Sequence, residues 1–191
     1  ARLLAAAPQG PRRSVLFVAV TAEESGLVGS DYFANNPTIG NGEMVANVNM
    51  DMPVMITPTA DVIAFGAEHS SLGEVVARAA RAEGVELSPD DRPEETLFVR
   101  SDQYSFVRRG VPALYITEGR KSRDPLRDQK ALSGAFLEER YHQPSDDLGQ
   151  DIDYASLAML ARLNVRIIEE IARTDARPSW NTGNFFGRTF S

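Results

Sequence analysis

The chain has 191 residues, 42% apolar and 25% charged, which is enough to bury a core and most simply makes one globular domain. Its net charge of −7, with Lys and Arg scattered rather than striped, argues against a nucleic-acid partner, and no apolar stretch approaches the roughly 18 residues of a membrane span. The absence of cysteine excludes disulfides, thiolate zinc sites and thiol nucleophiles, and with only two histidines, His69 and His142, any metal site must rely mainly on carboxylates.

In chain order, residues 1–7 read as the last turns of a helix stopped by Pro8 and Gly10. There is no initiator Met and no signal-peptide layout, so the expectation is a fragment that has lost what preceded it. Residues 15–20, with Ser14 leading, form a continuous apolar run that predicts a strand buried on both faces. It ends at Glu23 and Glu24, where an open α/β sheet places its ligands, beyond the carboxyl ends of its strands. Adjacent carboxylates are either solvated or given different work by a cation or a reacting proton. Helical spacing over residues 26–36 closes at Pro37, residues 38–43 are a loop, and residues 44–51 are a β-rich stretch ending in Asp51.

A short strand is expected over residues 61–65, then a helix over residues 71–84 with Ser71 and Glu74 as a capping box. An acidic loop, a strand around residues 96–99 and a helix over residues 102–109 capped by Ser101 follow, then a buried strand over residues 113–117. Residues 118–140 show no periodicity and read as a long functional or disordered loop, whose basic residues are most simply a solvated face. Asp153 caps a final helix over residues 154–173. The tail, residues 177–191, carries Trp180, Phe185, Phe186 and Phe190 and is expected to dock on the body or on a partner, through self-association or an absent N-terminal segment. Strands alternating with helices predict a three-layer α/β/α sandwich with a mostly parallel sheet, divided as a body over residues 1–176 and the tail.

Three polar clusters stand at or near strand ends: Glu23-Glu24, Asp51, and Tyr141-His142 with Asp146-Asp147. Carboxylates and imidazole suit zinc, and a neighbouring carboxylate suits a general base. Taken singly, Asp51 reads as a strand-end cap and His142 as a loop histidine. His69 belongs to a helix start, and Phe98, Tyr104 and Phe106 read as core.

Four stretches in order, FVAVTAEESGLVGS, NVNMDM, RSDQYSFVRRGVPALYITEG and YHQPSDD, resemble the co-catalytic di-zinc aminopeptidases of metallopeptidase family twenty-eight. The resemblance implies Glu23 as general base, Glu24, Asp51 and His142 as ligands in a site for two zinc ions, and Tyr141 as the hydroxyl that steadies a tetrahedral intermediate. It implies a supporting place for Ser101 and Asp102, a peptide substrate, and an extracellular or periplasmic location. It also implies an upstream H-x-D element and a bridging aspartate, neither of which this sequence contains, so residues 1–176 are expected to be a partial zinc peptidase catalytic domain and the isolated chain to bind zinc weakly and be poorly active. Other readings on the same scaffold are a non-catalytic receptor-like relative, or carboxypeptidase, dipeptidase or glutaminyl cyclase chemistry.

Overall fold

The computed structural model describes residues 1–7, 10–40 and 42–191; Pro8 and part of the expected loop at residues 38–43 lie outside the described residues. The elements are α1 Arg2–Ala5, α2 Val28–Asn35, β1 Asn47–Asn49, β2 Asp61–Phe65, α3 Leu72–Glu83 and β3 Glu86–Ser88, then α4 Gln103–Val107, β4 Ala113–Glu118, α5 Gln129–Glu139, α6 Tyr154–Arg173 and α7 Phe185–Phe190. The sheet runs β1-β4-β2-β3. β1 is parallel to β4 and β3 to β2, while β2 and β4 run antiparallel.

Alternation along β2 separates two cores. Val62 and Ala64 face a layer made by α3 and α6, with Leu72, Val76, Leu163 and Ile167 at 0% exposure. Ile63 and Phe65 face the opposite layer, with Phe98, Val107 of α4 and the C-terminal aromatics. Both faces of β2 and the start of β4 are buried, which is why those segments read as continuous apolar runs. The result is the expected three-layer sandwich. Helix α6 begins where Asp153 accepts from Ser156 N at 2.7 Å.

Five expectations are corrected. Residues 14–20 form no strand: Leu16 and Phe17 are each 52% exposed and Val18 is 41% exposed, because among the described residues no strand pairs with them. Only Asn47–Asn49 of the β-rich stretch 44–51 joins the ladder. Residues 97–99 form a 3-10 turn rather than a strand. The two serines read as helix caps are used elsewhere: Ser71 Oγ accepts from Ser179 N at 3.0 Å, and Ser101 Oγ donates to Asp51 Oδ2 at 2.7 Å. Finally, the expected loop at residues 118–140 contains α5, capped by Asp128, which accepts from Ala131 N at 3.0 Å. Four of its basic residues are paired rather than simply solvated: Arg120 pairs with Asp91, Lys121 with Glu86 and Arg127 with Asp151, and Arg123 donates to Thr59 O, while Lys130 is exposed as expected.

The tail docks on the body of the same chain. Trp180 Nε1 donates to Gly110 O at 3.0 Å, Asn181 N to His69 O at 3.0 Å, and Ser71 N to Ser179 O at 2.9 Å. Phe186 packs edge-on against His69 and Phe98, with ring centroids 4.9 Å and 5.2 Å away. Phe98 and Phe106 are buried and Tyr104 packs against the same core, as read from the sequence.

Candidate metal centre

The residues flagged at separate strand and loop ends meet at one cleft of about 480 Å³, lined by Glu23, Glu24, Asp51, Tyr115, Tyr141 and His142 among others. Each arrives by a distinct local device. Glu23 and Glu24 sit in a turn that folds back on α2: Leu27 N donates to Glu23 O at 2.8 Å and Gly29 N to Thr21 O at 3.0 Å. That closure demands glycine at 29, where a Cβ would lie 2.3 Å from Thr21 O. Asp51 follows β1 by two residues, held from beneath by the Ser101 hydroxyl. Tyr141 and His142 follow the end of α5, where Tyr141 N donates to Phe136 O at 2.9 Å, and their rings stack at 3.8 Å.

His142 Nε2 lies 2.6 Å from Glu24 Oε1, with both side chains more than half exposed. As an ion pair alone this contact is worth little in water. Asp51 stands apart, bonded to Ser101. Of the two aspartates that follow His142, Asp146 lines the cleft, whereas Asp147 turns to accept from Gly149 N at 2.8 Å.

The electrostatics are dominated by negative charge. Burial raises the Glu23 carboxyl above its ordinary range, Asp51, Glu24 and Asp102 raise it further, and His142 opposes them. The Tyr141 hydroxyl is raised by burial and then by Glu24, Asp51 and Glu23, with Arg100 opposing. Tyr115 is raised by burial and by Asp51, Tyr141 and Glu23. One cleft thus holds several carboxylates that repel one another, a setting that favours a bound cation.

Zinc tests this arrangement directly. Among the described residues no group of three such donors converges on a single point. The donor chemistry fits, since imidazole and carboxylate oxygens are ordinary zinc ligands. Two ligands on one tetrahedral zinc stand about 3.3 Å apart by its bond lengths, so Glu24 and His142 would separate slightly from their 2.6 Å contact to admit the ion.

Sequence reasoning missed Tyr115, Arg100 and Phe136 as lining residues, and Asn49 and Gln103 behind Asp51. Asn49 had a legible signal: two residues before Asp51 on an extended segment, it shares that residue's face. Nothing in the pattern singled out Gln103.

A mixed sheet between two helical layers, with carboxylates and a histidine gathered where β1 ends beside Tyr115 of β4, is the zinc-exopeptidase fold. The chain belongs to peptidase family M28, whose profile matches residues 1–168. Among solved structures it is similar to an aminopeptidase from Aneurinibacillus sp. strain AM-1, at 22% identity and a TM-score of 0.56 over 83% of this chain and 33% of that one. It is also similar to a Porphyromonas gingivalis glutaminyl cyclase, at 18% identity and a TM-score of 0.52 over 81% of this chain and 52% of that one. A Zn-dependent exopeptidase from Parabacteroides distasonis matches at 16% identity and a TM-score of 0.50 over 82% of this chain and 50% of that one. The chain therefore spans about a third to a half of the length of these structures. A search of curated proteins finds no match.

Proposed function

We propose that this chain carries part of the active site of a zinc-dependent aminopeptidase that removes the N-terminal residue of a peptide. The observation that carries the reading is the meeting of Glu23, Glu24, Asp51, Tyr141 and His142, drawn from three separated stretches, around one negatively charged cleft. Family membership supports peptidase chemistry, and similarity to the Aneurinibacillus aminopeptidase and the Zn-dependent Parabacteroides exopeptidase supports the aminopeptidase and zinc assignments. Glu24 and His142 would hold one zinc and Asp51 the other, a division supported by the contact between the first two and the separate bonding of the third. When bound, zinc supplies Lewis acidity toward the scissile carbonyl and the attacking water.

The chain's own groups do the rest. Glu23, made more basic by burial and its acidic neighbours, takes the proton of the attacking water and passes it to the departing amine. Tyr141 stays protonated because the same carboxylates raise its pKa, and so can donate to the oxyanion that develops on the carbonyl. The acidic cleft also suits the positively charged free amine of a peptide N-terminus.

The test is hydrolysis of aminoacyl anilides by zinc-supplemented protein, beside Glu23→Gln. Activity that a chelator abolishes and Glu23→Gln lowers by about 100-fold or more supports the reading. Cyclisation of N-terminal glutamine without anilide hydrolysis would replace it with glutaminyl cyclase chemistry, and a chain that neither binds zinc nor turns over either substrate would favour a non-catalytic relative.

A further inference from the structure

Behind Asp51 lies a chain of hydrogen bonds whose direction is fixed from one end. Gln103 is fully buried, at 0% exposure, and Ser101 is 5% exposed. Gln103 Nε2 donates to Phe98 O at 2.9 Å. A backbone carbonyl accepts and never donates, so this contact fixes which end of the Gln103 amide is nitrogen. Gln103 Oε1 must then face Asn49, and it accepts from Asn49 Nδ2 at 2.8 Å. That in turn fixes the Asn49 amide, whose Nδ2 also donates to Ser101 Oγ at 3.1 Å. A hydroxyl has one proton. With Oγ already accepting from Asn49, that proton goes to Asp51 Oδ2, at 2.7 Å. Reversing either amide would set two acceptors or two donors face to face in a buried place, which is costly.

We propose that Gln103 and Asn49 are positioning residues for Asp51: starting from the Phe98 carbonyl, they set the polarity of the Ser101 hydroxyl so that it always donates to Asp51 Oδ2, leaving Oδ1 free of that bond. This rests on the reading of Asp51 as a zinc ligand. The relay acts through Asp51 and touches no substrate. Its purpose is to hold the carboxylate in one rotamer before the ion arrives, which raises affinity by removing the need to order it. The tail helps hold its anchor, because the Phe98 ring packs against Phe186 of the tail at a centroid distance of 5.2 Å and against His69 at 5.0 Å.

The experiment is titration of the full chain with zinc alone, with thermal unfolding of every variant in parallel and the side-chain amide spectrum recorded by NMR without metal. Asp51→Ala reports whether Asp51 holds the ion. Asn49→Asp, which cannot donate to Ser101, and Gln103→Leu are expected to weaken zinc binding about 10-fold or more, the range found for partners behind metal ligands. Ser101→Ala should do the same, and Ser101→Thr, which keeps the hydroxyl, should restore near-native affinity. In the spectrum, the Asn49 amide protons should be slow to exchange in the native chain and lose that protection in Gln103→Leu. If Asp51→Ala weakens zinc binding while folded Asn49→Asp and Gln103→Leu variants do not, the relay is wrong and the metal reading stands. If Asp51→Ala changes nothing, the metal reading falls and with it the relay's purpose, while a protected Asn49 amide would preserve only the hydrogen bonds. A native Asn49 amide that exchanges freely would overturn the relay whatever the zinc data.

Discussion

Replacing Phe17 by Ser separates the structure from the buried strand that the sequence alone suggests. Phe17 stands in the apolar run leading to Glu23 and is 52% exposed, between Leu16 at 52% and Val18 at 41%. Fully burying a Phe side chain is worth about 1.5–3 kcal/mol, so with half of the ring already in water the substitution should cost about 1 kcal/mol. A strand buried on both faces would lose transfer free energy and gain a cavity, at about 3–5 kcal/mol. For a chain of this size each kcal/mol moves the melting temperature by about 2–4 °C, so the two cases differ as about 3 °C against about 10 °C or more. Thermal and urea unfolding followed by circular dichroism would read the difference. A loss above about 3 kcal/mol would refute the exposed placement and show that a strand partner covers the run in solution.

Other perturbations probe other parts. Gly29→Ala forces a Cβ to within 2.3 Å of the Thr21 carbonyl and should cost about 1–3 kcal/mol while displacing the Glu23-Glu24 turn; unfolding together with zinc affinity would show both effects, and a neutral result would contradict the tight closure. Burial pushes the Glu83 carboxyl up, but hydrogen bonds from Arg166 and Arg162 outweigh it and hold the pKa below its ordinary value of 4.5. That stabilisation is complete above about pH 4.5 and is lost as pH falls through the lower folded value, so Glu83→Gln should flatten the acid limb of stability against pH, by about 1 kcal/mol because both arginines are half exposed. Burial lowers the pKa of His69 below 6.5, against the pull of Glu68. His69 therefore takes up a proton more readily with the tail undocked or the chain unfolded, so docking should weaken as pH falls from about 6.5 through the lower folded value. Trp180, the chain's one tryptophan, should report this as a red shift in emission that His69→Phe abolishes.

The parts of this fold that were legible are those whose signal is local. Helix α6 combines a capping aspartate with a broad apolar stripe, and β2 is apolar on both faces because both are covered. The run at residues 14–20 has the same composition as β2 and a different fate, since burial depends on neighbours that a pattern does not name. Helix α5 was hidden because its buried face is Gln129, Ser133 and Phe136, two polar residues turned inward, with Ser133 donating to Glu118 at 2.6 Å. Ser71 and Ser101 misled for a related reason: their hydroxyls look like caps locally but serve the tail and Asp51 from across the fold. At the site, Glu23, Glu24, Asp51 and Asp146 reached the cleft together with Tyr141 and His142, whereas the network behind Asp51 depends on a contact between β1 and α4 that no spacing announces.

The central claim, that Glu24 and His142 share a zinc ion beside Asp51, is tested most directly by locating the ion in crystals grown with zinc from anomalous scattering at its absorption edge. The account predicts a peak about 2.0–2.2 Å from a Glu24 oxygen and a His142 nitrogen, with those atoms moved apart from 2.6 Å. Zinc bound only elsewhere, with the Glu24–His142 contact intact, would contradict it.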